Sequence, residues 1–175
     1  IIKAIKFARE NKVPYFGLCY GMQLASVEFV RNVLGKKKAT TVEMDENTSE
    51  PVIHINPNQA SNVKENKYGG TMRLGAYDCA LRRGTKSHKA YGTDIISERH
   101  RHRYEFNNEY RDAIDKAGLQ VVGINPESDL VEIVELKGHP FFVGVQFHPE
   151  FKSRPMKPHP LFRDFIGAVV KISKQ

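Results

Sequence analysis

Cysteine is scarce in this chain: its 175 residues hold only Cys19 and Cys79. The two stand sixty residues apart, with no metal-ligand spacing around either. That excludes a disulfide framework and argues against a zinc site. Reducing, cytosolic surroundings fit such usage best, and a cytoplasmic location is expected. Long apolar runs are missing as well. The longest are a few residues, far short of the ~20 that a bilayer-spanning helix needs, so no membrane partner is expected. The opening Ile1-Ile2-Lys3-Ala4-Ile5-Lys6 has neither the apolar stretch nor the small-residue cleavage site of a signal peptide. Internal repeats and low-complexity tracts are absent too.

What is present describes an ordinary folded domain. Hydrophobic residues make up 40% and charged residues 27%, and a chain this long buries a real core as one domain over 1–175. Lys and Arg number 27 against 20 Asp and Glu, a formal charge of +7. An excess of that size fits a nucleic-acid surface, an acidic ligand, a docking surface or a solvated face, and composition does not choose among them.

The pattern along the chain is of the βα kind. Ile1, Ile2, Ile5 and Ala8 follow a helical period that stops at Asn11. Val13-Pro14-Tyr15-Phe16-Gly17-Leu18 reads as a short buried strand, and residues 22–34 as a helix ended by Gly35. This succession predicts a mostly parallel central sheet flanked by helices. The polar middle, residues 36–67, holds one candidate strand at 51–55. Gly69-Gly70-Thr71-Met72-Arg73-Leu74-Gly75 reads as a turn leading into a strand, residues 82–89 as a basic loop, and 108–117 as a helix stopped by Gly118. Three strands at 119–124, 130–136 and 141–147 form a small antiparallel meander near the C-terminus, and Pro160 opens a last amphipathic helix.

Four places carry candidate chemistry. Gly17-Leu18-Cys19-Tyr20-Gly21 is a G-x-C-x-G between strand and helix, the context of a nucleophile elbow. A helix N-terminus just after Cys19 is expected to favour its thiolate, and the Tyr20 N–H to serve as an oxyanion donor. The alternative fate of Cys19 is a buried structural residue. Gln146-Phe147-His148-Pro149-Glu150 closes an apolar strand. There His148 is placed to take and return a proton, and Glu150, two residues on, to orient it. In Arg99-His100-Arg101-His102-Arg103-Tyr104-Glu105 an extended chain puts the arginines on one face and the histidines on the other. It reads as a solvated charge run, a nucleic-acid strip, or an arginine forked onto a carboxylate. Glu43 alone is an acid at a strand end, and Cys79, with no His or Glu pattern near it, reads as structural.

Together the G-x-C-x-G and the Phe147-His148-Pro149-Glu150 motif resemble the class I, triad-type glutamine amidotransferases. More narrowly, the segments at 69–75, 98–105 and 147–155 look like the glutaminase domains of CTP synthases. They are long and are not shared by the GMP synthetase, anthranilate synthase or carbamoyl-phosphate synthetase glutaminases. The similarity covers essentially the whole chain, most loosely at 47–68 and 82–92.

The resemblance implies a Cys19–His148–Glu150 triad that hydrolyses L-glutamine through a thioester. It implies a substrate site lined by Tyr20, Gly21, Met22 and Gln23, with Glu43 receiving the α-ammonium and Arg103 the α-carboxylate. It also implies a domain without cofactor or metal of its own. Ammonia would pass to an N-terminal synthetase domain that uses ATP, Mg²⁺ and UTP, with GTP as activator, in a homo-oligomeric enzyme.

Two departures accompany it. Tyr20 stands where the family usually carries leucine. The family's Gly-rich segment, which supplies a second oxyanion donor, does not precede Ile1, so the chain reads as an excised domain missing its start. Loss of one such donor costs roughly 10²–10³ in rate. Other readings are a glutaminase or γ-glutamyl hydrolase serving another acceptor, a nucleic-acid-binding module, and an inactive docking subunit. The long motifs favour the first-named chemistry, and no nucleic-acid partner is expected.

Overall fold

The structure, a computed structural model, describes residues 1–55 and 72–174. The opening helical period forms α1, Ile2–Glu10, which buries Ile5 and Ala8 and ends at Asn11. The short apolar strand is β1, Tyr15–Leu18, and runs directly into α2, Tyr20–Asn32. The polar middle supplies β2, Thr40–Thr41, and β3, Pro51–Ile55. Then come β4, Arg73–Leu81; α3, Lys86–Tyr91; β5, Ile95–His102; and β6, Tyr104–Phe106. A 3₁₀ turn, Asn108–Tyr110, leads into α4, Arg111–Ala117, where one longer helix was expected. The chain finishes with β7, Leu119–Ile124; β8, Val131–Leu136; β9, Phe142–Val145; a 3₁₀ turn, Pro149–Phe151; and α5, Pro160–Ser173.

The expected α/β fold, a sheet flanked by helices with an antiparallel portion towards the C-terminus, is what forms. The main sheet has the order β1-β9-β8-β7-β4-β5, and a second one the order β2-β3-β6. Antiparallel pairing takes a larger share than the βα pattern suggested. Among the described strands of the main sheet only β1 and β9 run parallel. Short turns join β7, β8 and β9, and a short turn permits only antiparallel neighbours, whereas a parallel pair needs a long crossover. Between β1 and β9 that crossover is most of the domain.

Each face of the sheet has its own core. On one face Met22, Leu24 and Val27 of α2, Ile5 of α1 and Ile114 of α4 pack against Val121, Val131, Val134 and Phe142. On the other, Leu161 of α5 and Ala90 of α3 cover Val122, Ile133, Val143 and Val145. Helix α2 approaches the sheet so closely that a Cβ on Gly144 would lie 3.1 Å from Met22.

Of the basic loop expected at 82–89, residues 82–85 are loop, and from Lys86 the chain is already α3. Thr85 Oγ1 accepts from the His88 N–H. The Glu135 carboxylate, from β8, accepts from the N–H groups of Lys86 and Ser87 at 3.0 and 2.6 Å. An acid reaching a helix N-terminus from a remote strand stabilises a short helix that local sequence does not announce.

Candidate active site

Strands β1 and β9 pair in parallel, Gly17 beside Gly144 and Leu18 beside Val145. Both therefore open at the same edge of the sheet, where the C-terminal ends of parallel strands gather ligands. Cys19 leaves the end of β1, and its N–H donates to the Val145 carbonyl at 2.7 Å, extending the pairing by one residue. His148 follows the end of β9 and is anchored from the other side, its N–H donating to the Arg99 carbonyl of β5 at 2.8 Å. The topology thus brings together two residues 129 positions apart.

Cys19 sits at φ 48°, ψ −101°, the left-handed φ of a sharp strand-to-helix turn. A non-glycine residue in that region is held there by its surroundings, and such strain gathers at functional positions. Tyr15 provides part of the restraint, its hydroxyl donating to the Gly21 carbonyl at 2.8 Å and pinning the first turn of α2 to β1.

Burial pushes the Cys19 thiol up to about 11, and the nearby carboxylates Glu105 and Glu150 add to the rise. The Tyr20 N–H and the Gln146 amide act in the opposite direction. The helix N-terminus acts in the expected direction, through the Tyr20 N–H, and desolvation outweighs it. Burial therefore favours the neutral thiol over the thiolate. His148 stands at the end of the neighbouring strand. Its Nδ1 lies 2.6 Å from Glu150 Oε1, and since a carboxylate only accepts, Nδ1 carries the proton. Nε2 is then the basic nitrogen; it is buried and makes no hydrogen bond, to Cys19 or to any other described group. The ring stacks on Phe151 with centroids 5.2 Å apart.

Beside the turn opens a cleft of about 470 Å³ whose wall includes Cys19, Tyr20, Gln23, Glu43 and Arg103. Glu43 and Arg103 place opposite charges on one cavity that Cys19 also lines. Arg103 reaches it because β5 ends at His102. Along β5 the alternation is as expected, with Arg99 and Arg101 exposed and His100 and His102 buried. The chain then turns and brings Arg103 to the cleft. Burial, then the Glu43 charge, raise the Tyr20 phenol. Gly21 and Met22 are not part of the wall. Gly21 lies beneath Tyr15, and the Met22 side chain is fully buried in the core against Gly144. His148 and Glu150 stand outside the wall as well.

Sequence reasoning missed a buried ionic cluster behind the cleft. Arg73 pairs with Glu132 at 2.7 Å and Glu105 at 3.3 Å, and His100 Nε2 lies 2.7 Å from Glu132. Arg73 belongs to a motif singled out from sequence, but Gly69, Gly70 and Thr71 of that motif lie outside the described residues. Cys79 is fully buried, as expected. Among the described residues no group of three or more His, Cys, Asp or Glu is placed to hold a metal, and no helix is long and apolar enough to cross a membrane.

The model of the family "Glutamine amidotransferase class-I" matches residues 1–168. The chain belongs to the class I glutamine amidotransferases. Among curated members of this amidotransferase family it is 56% identical over 171 residues to the CTP synthase of Caldanaerobacter subterraneus subsp. tengcongensis, covering 98% of this chain and 31% of the relative. It is 58% identical over 173 residues to that of Carboxydothermus hydrogenoformans, covering 99% of this chain and 32% of the relative. The chain therefore spans about a third of the length of these relatives. A solved structure, the glutaminase domain of Trypanosoma brucei CTPS with bound acivicin, superposes with a TM-score of 0.89 at 39% identity, covering 97% of this chain and 65% of that one.

Proposed function

We propose that this chain hydrolyses L-glutamine to glutamate and ammonia, with Cys19 as nucleophile, His148 as base and acid, and Glu150 as its orienting partner. The observation that carries the proposal is the convergence of the Cys19 turn and the His148–Glu150 pair at the ends of two adjacent parallel strands, beside a cleft with opposite charges on its wall. Glutamine complements that wall: its α-ammonium suits Glu43 and its α-carboxylate suits Arg103. The pairing sets the side-chain amide against Cys19.

The steps balance as follows. His148 Nε2 takes the Cys19 thiol proton, and Sγ attacks the amide carbon. The oxyanion is received by the Tyr20 N–H. The C–N bond breaks as His148 returns its proton to the departing nitrogen, releasing ammonia and leaving a γ-glutamyl thioester. Water, deprotonated by His148, attacks the thioester; the C–S bond breaks, the proton returns to sulfur, and glutamate leaves. No metal or cofactor enters these steps.

The likeness to CTP synthases supports a wider proposal for the whole protein. Ammonia is consumed by a synthetase domain of the same polypeptide, which uses ATP and Mg²⁺ to aminate UTP to CTP, with GTP activating the glutaminase and the enzyme working as a homo-oligomer in the cytoplasm.

Intact mass after treatment with the glutamine-mimicking electrophile 6-diazo-5-oxonorleucine tests the core of this. The expected result is one adduct, blocked by glutamine, lost in Cys19→Ala and kept in Cys79→Ala. No adduct, or equal labelling of both cysteines, sinks it.

A further inference from the structure

Gln146 is fully buried at the end of an otherwise apolar strand. A buried amide needs partners for both its NH₂ and its oxygen. Its neighbours determine which end points where. Gln23 Nε2 lies 3.0 Å from the Tyr104 carbonyl, which only accepts, so Gln23 presents its NH₂ there. The second hydrogen of that NH₂ meets the Gln146 side chain at 3.2 Å, so Gln146 turns its oxygen towards Gln23. That leaves Gln146 Nε2 directed at Cys19 Sγ, 3.6 Å away. Gln23 is itself one helical turn beyond Cys19, its N–H donating to the Cys19 carbonyl at 3.2 Å. The relay from Tyr104 through Gln23 and Gln146 therefore ends on the nucleophile and has only one consistent direction.

We propose that Gln146 is a further catalytic residue, its amide N–H donating to Cys19 Sγ and stabilising the thiolate. The inference rests on Cys19 being the nucleophile of the glutaminase. Burial, above all, and the Glu150 charge oppose a sulfur anion, while the Tyr20 N–H and the Gln146 amide favour it. Once sulfur has attacked, the Tyr20 N–H turns to the oxyanion. Gln146 stays on the sulfur throughout. It assists the thiolate as the thiol proton leaves for His148. It assists it again when the thioester C–S bond breaks and the electron pair returns to sulfur. A hydrogen bond to a charged group is strong enough to matter at both points.

The test is Gln146→Met and Gln146→Glu in a Cys79→Ala background of the full-length protein. Iodoacetamide, which needs no glutamine site, reports the thiolate of Cys19. The expected loss in the neutral-pH alkylation rate is about 10- to 100-fold for Met, which fills the volume without a donor, and larger for Glu, which sets a carboxylate against the sulfur. Glutamine turnover should lose kcat by a similar factor with KM within about threefold. Far-UV circular dichroism and the melting midpoint verify folding. If Gln146→Met does not fold, Gln146→Glu, closest in shape to glutamine, carries the test. A folded variant whose alkylation rate matches the parent overturns the proposal, as does a loss confined to KM. A parent protein that shows the Gln146-dependent alkylation but releases no glutamate overturns the glutaminase proposal instead.

Discussion

His148 Nδ1 and Glu150 Oε1 lie 2.6 Å apart across a single proline. His148 caps the 3₁₀ turn Pro149–Phe151, and Glu150, the second residue of that turn, sets its carboxylate against the ring. The carboxylate holds one tautomer and leaves Nε2 without a proton, as the proposed base requires. Glu150→Gln keeps the size but removes the charge, and it offers its NH₂ to Nδ1 as readily as its oxygen. We predict a fall in kcat of about 10²-fold, with KM changed by less than about threefold. Steady-state glutamate release decides it. Glu150 is 44% exposed, so solvent screens the pair and the loss should be smaller than for a fully buried orienting acid. A variant with parental kcat would remove Glu150 from the triad.

Glu43 and Arg103 should act on binding. Neither joins the proton relay, so their loss weakens ground state and transition state alike. Glu43→Gln and Arg103→Met are each expected to raise KM for glutamine about 10- to 100-fold, with kcat within about threefold. Glutaramate, which lacks the α-ammonium, offers a finer readout. Its kcat/KM should be low in the parent and nearly insensitive to Glu43→Gln, yet still fall in Arg103→Met. Equal sensitivity to both substitutions would mean that the two charges do not divide the amino acid as proposed.

Much of this site was legible in the sequence because its main elements are local. A strand-to-helix turn with flanking glycines, and a His-x-Glu at a strand end, each occupy five residues or fewer. That Arg99 and Arg101 face away from His100 and His102 followed from alternation alone; which face is buried, and that Arg103 leaves the row, did not. What was not legible is relational. Glu135 stabilises the start of α3 from another strand, and Arg73 finds Glu132 across 59 residues. Met22 has the sequence position of a wall residue, yet a helical step turns its side chain into the core. The balance at the thiol was not legible for a related reason: the favourable helix N-terminus is visible in sequence, and the larger cost of burial is not. The one signal for Gln146 was a polar residue ending a run of apolar ones.

Glu105 makes stability depend on pH with a sign opposite to the usual carboxylate. Burial pushes it to about 8, with the Glu132 charge adding to the rise and Arg73 opposing it, against an ordinary value of 4.5. Between those values the folded protein holds a proton that the unfolded chain has released. Stability is therefore full below about pH 4.5 and declines as pH rises towards 8, by up to about 1.4 kcal/mol per pH unit. Glu105→Gln, neutral at every pH, should remove that contribution. Urea midpoints measured at about pH 5 and pH 8 should differ less in the variant than in the parent. An unchanged difference would show that Glu105 is already ionised in the folded state.

Gly17 sets how closely β1 and α2 approach. A Cβ there would lie 2.6 Å from the Tyr15 hydroxyl and 2.7 Å from the backbone carbon of Gly21. The first contact involves the tip of a side chain and yields; the second involves the helix backbone and does not. Gly17→Ala must therefore push the first turn of α2 away from the sheet. That turn carries Cys19 at its cap and the Tyr20 N–H, so the displacement falls on the nucleophile and its oxyanion donor together. The expected cost in stability is about 1–3 kcal/mol, read from denaturant unfolding. The loss of 6-diazo-5-oxonorleucine labelling should be larger than that destabilisation accounts for, because a shift of about 1 Å at reacting atoms costs on the order of 10² in rate. The double variant Tyr15→Phe, Gly17→Ala separates the two contacts. Deleting the hydroxyl relieves the 2.6 Å clash and leaves those with the Gly21 backbone at 2.7 Å and the ring carbon Cε1 at 2.8 Å, so labelling should stay low. Recovery in the double variant would instead make the Tyr15 hydroxyl the obstacle and the α2 backbone free to adjust.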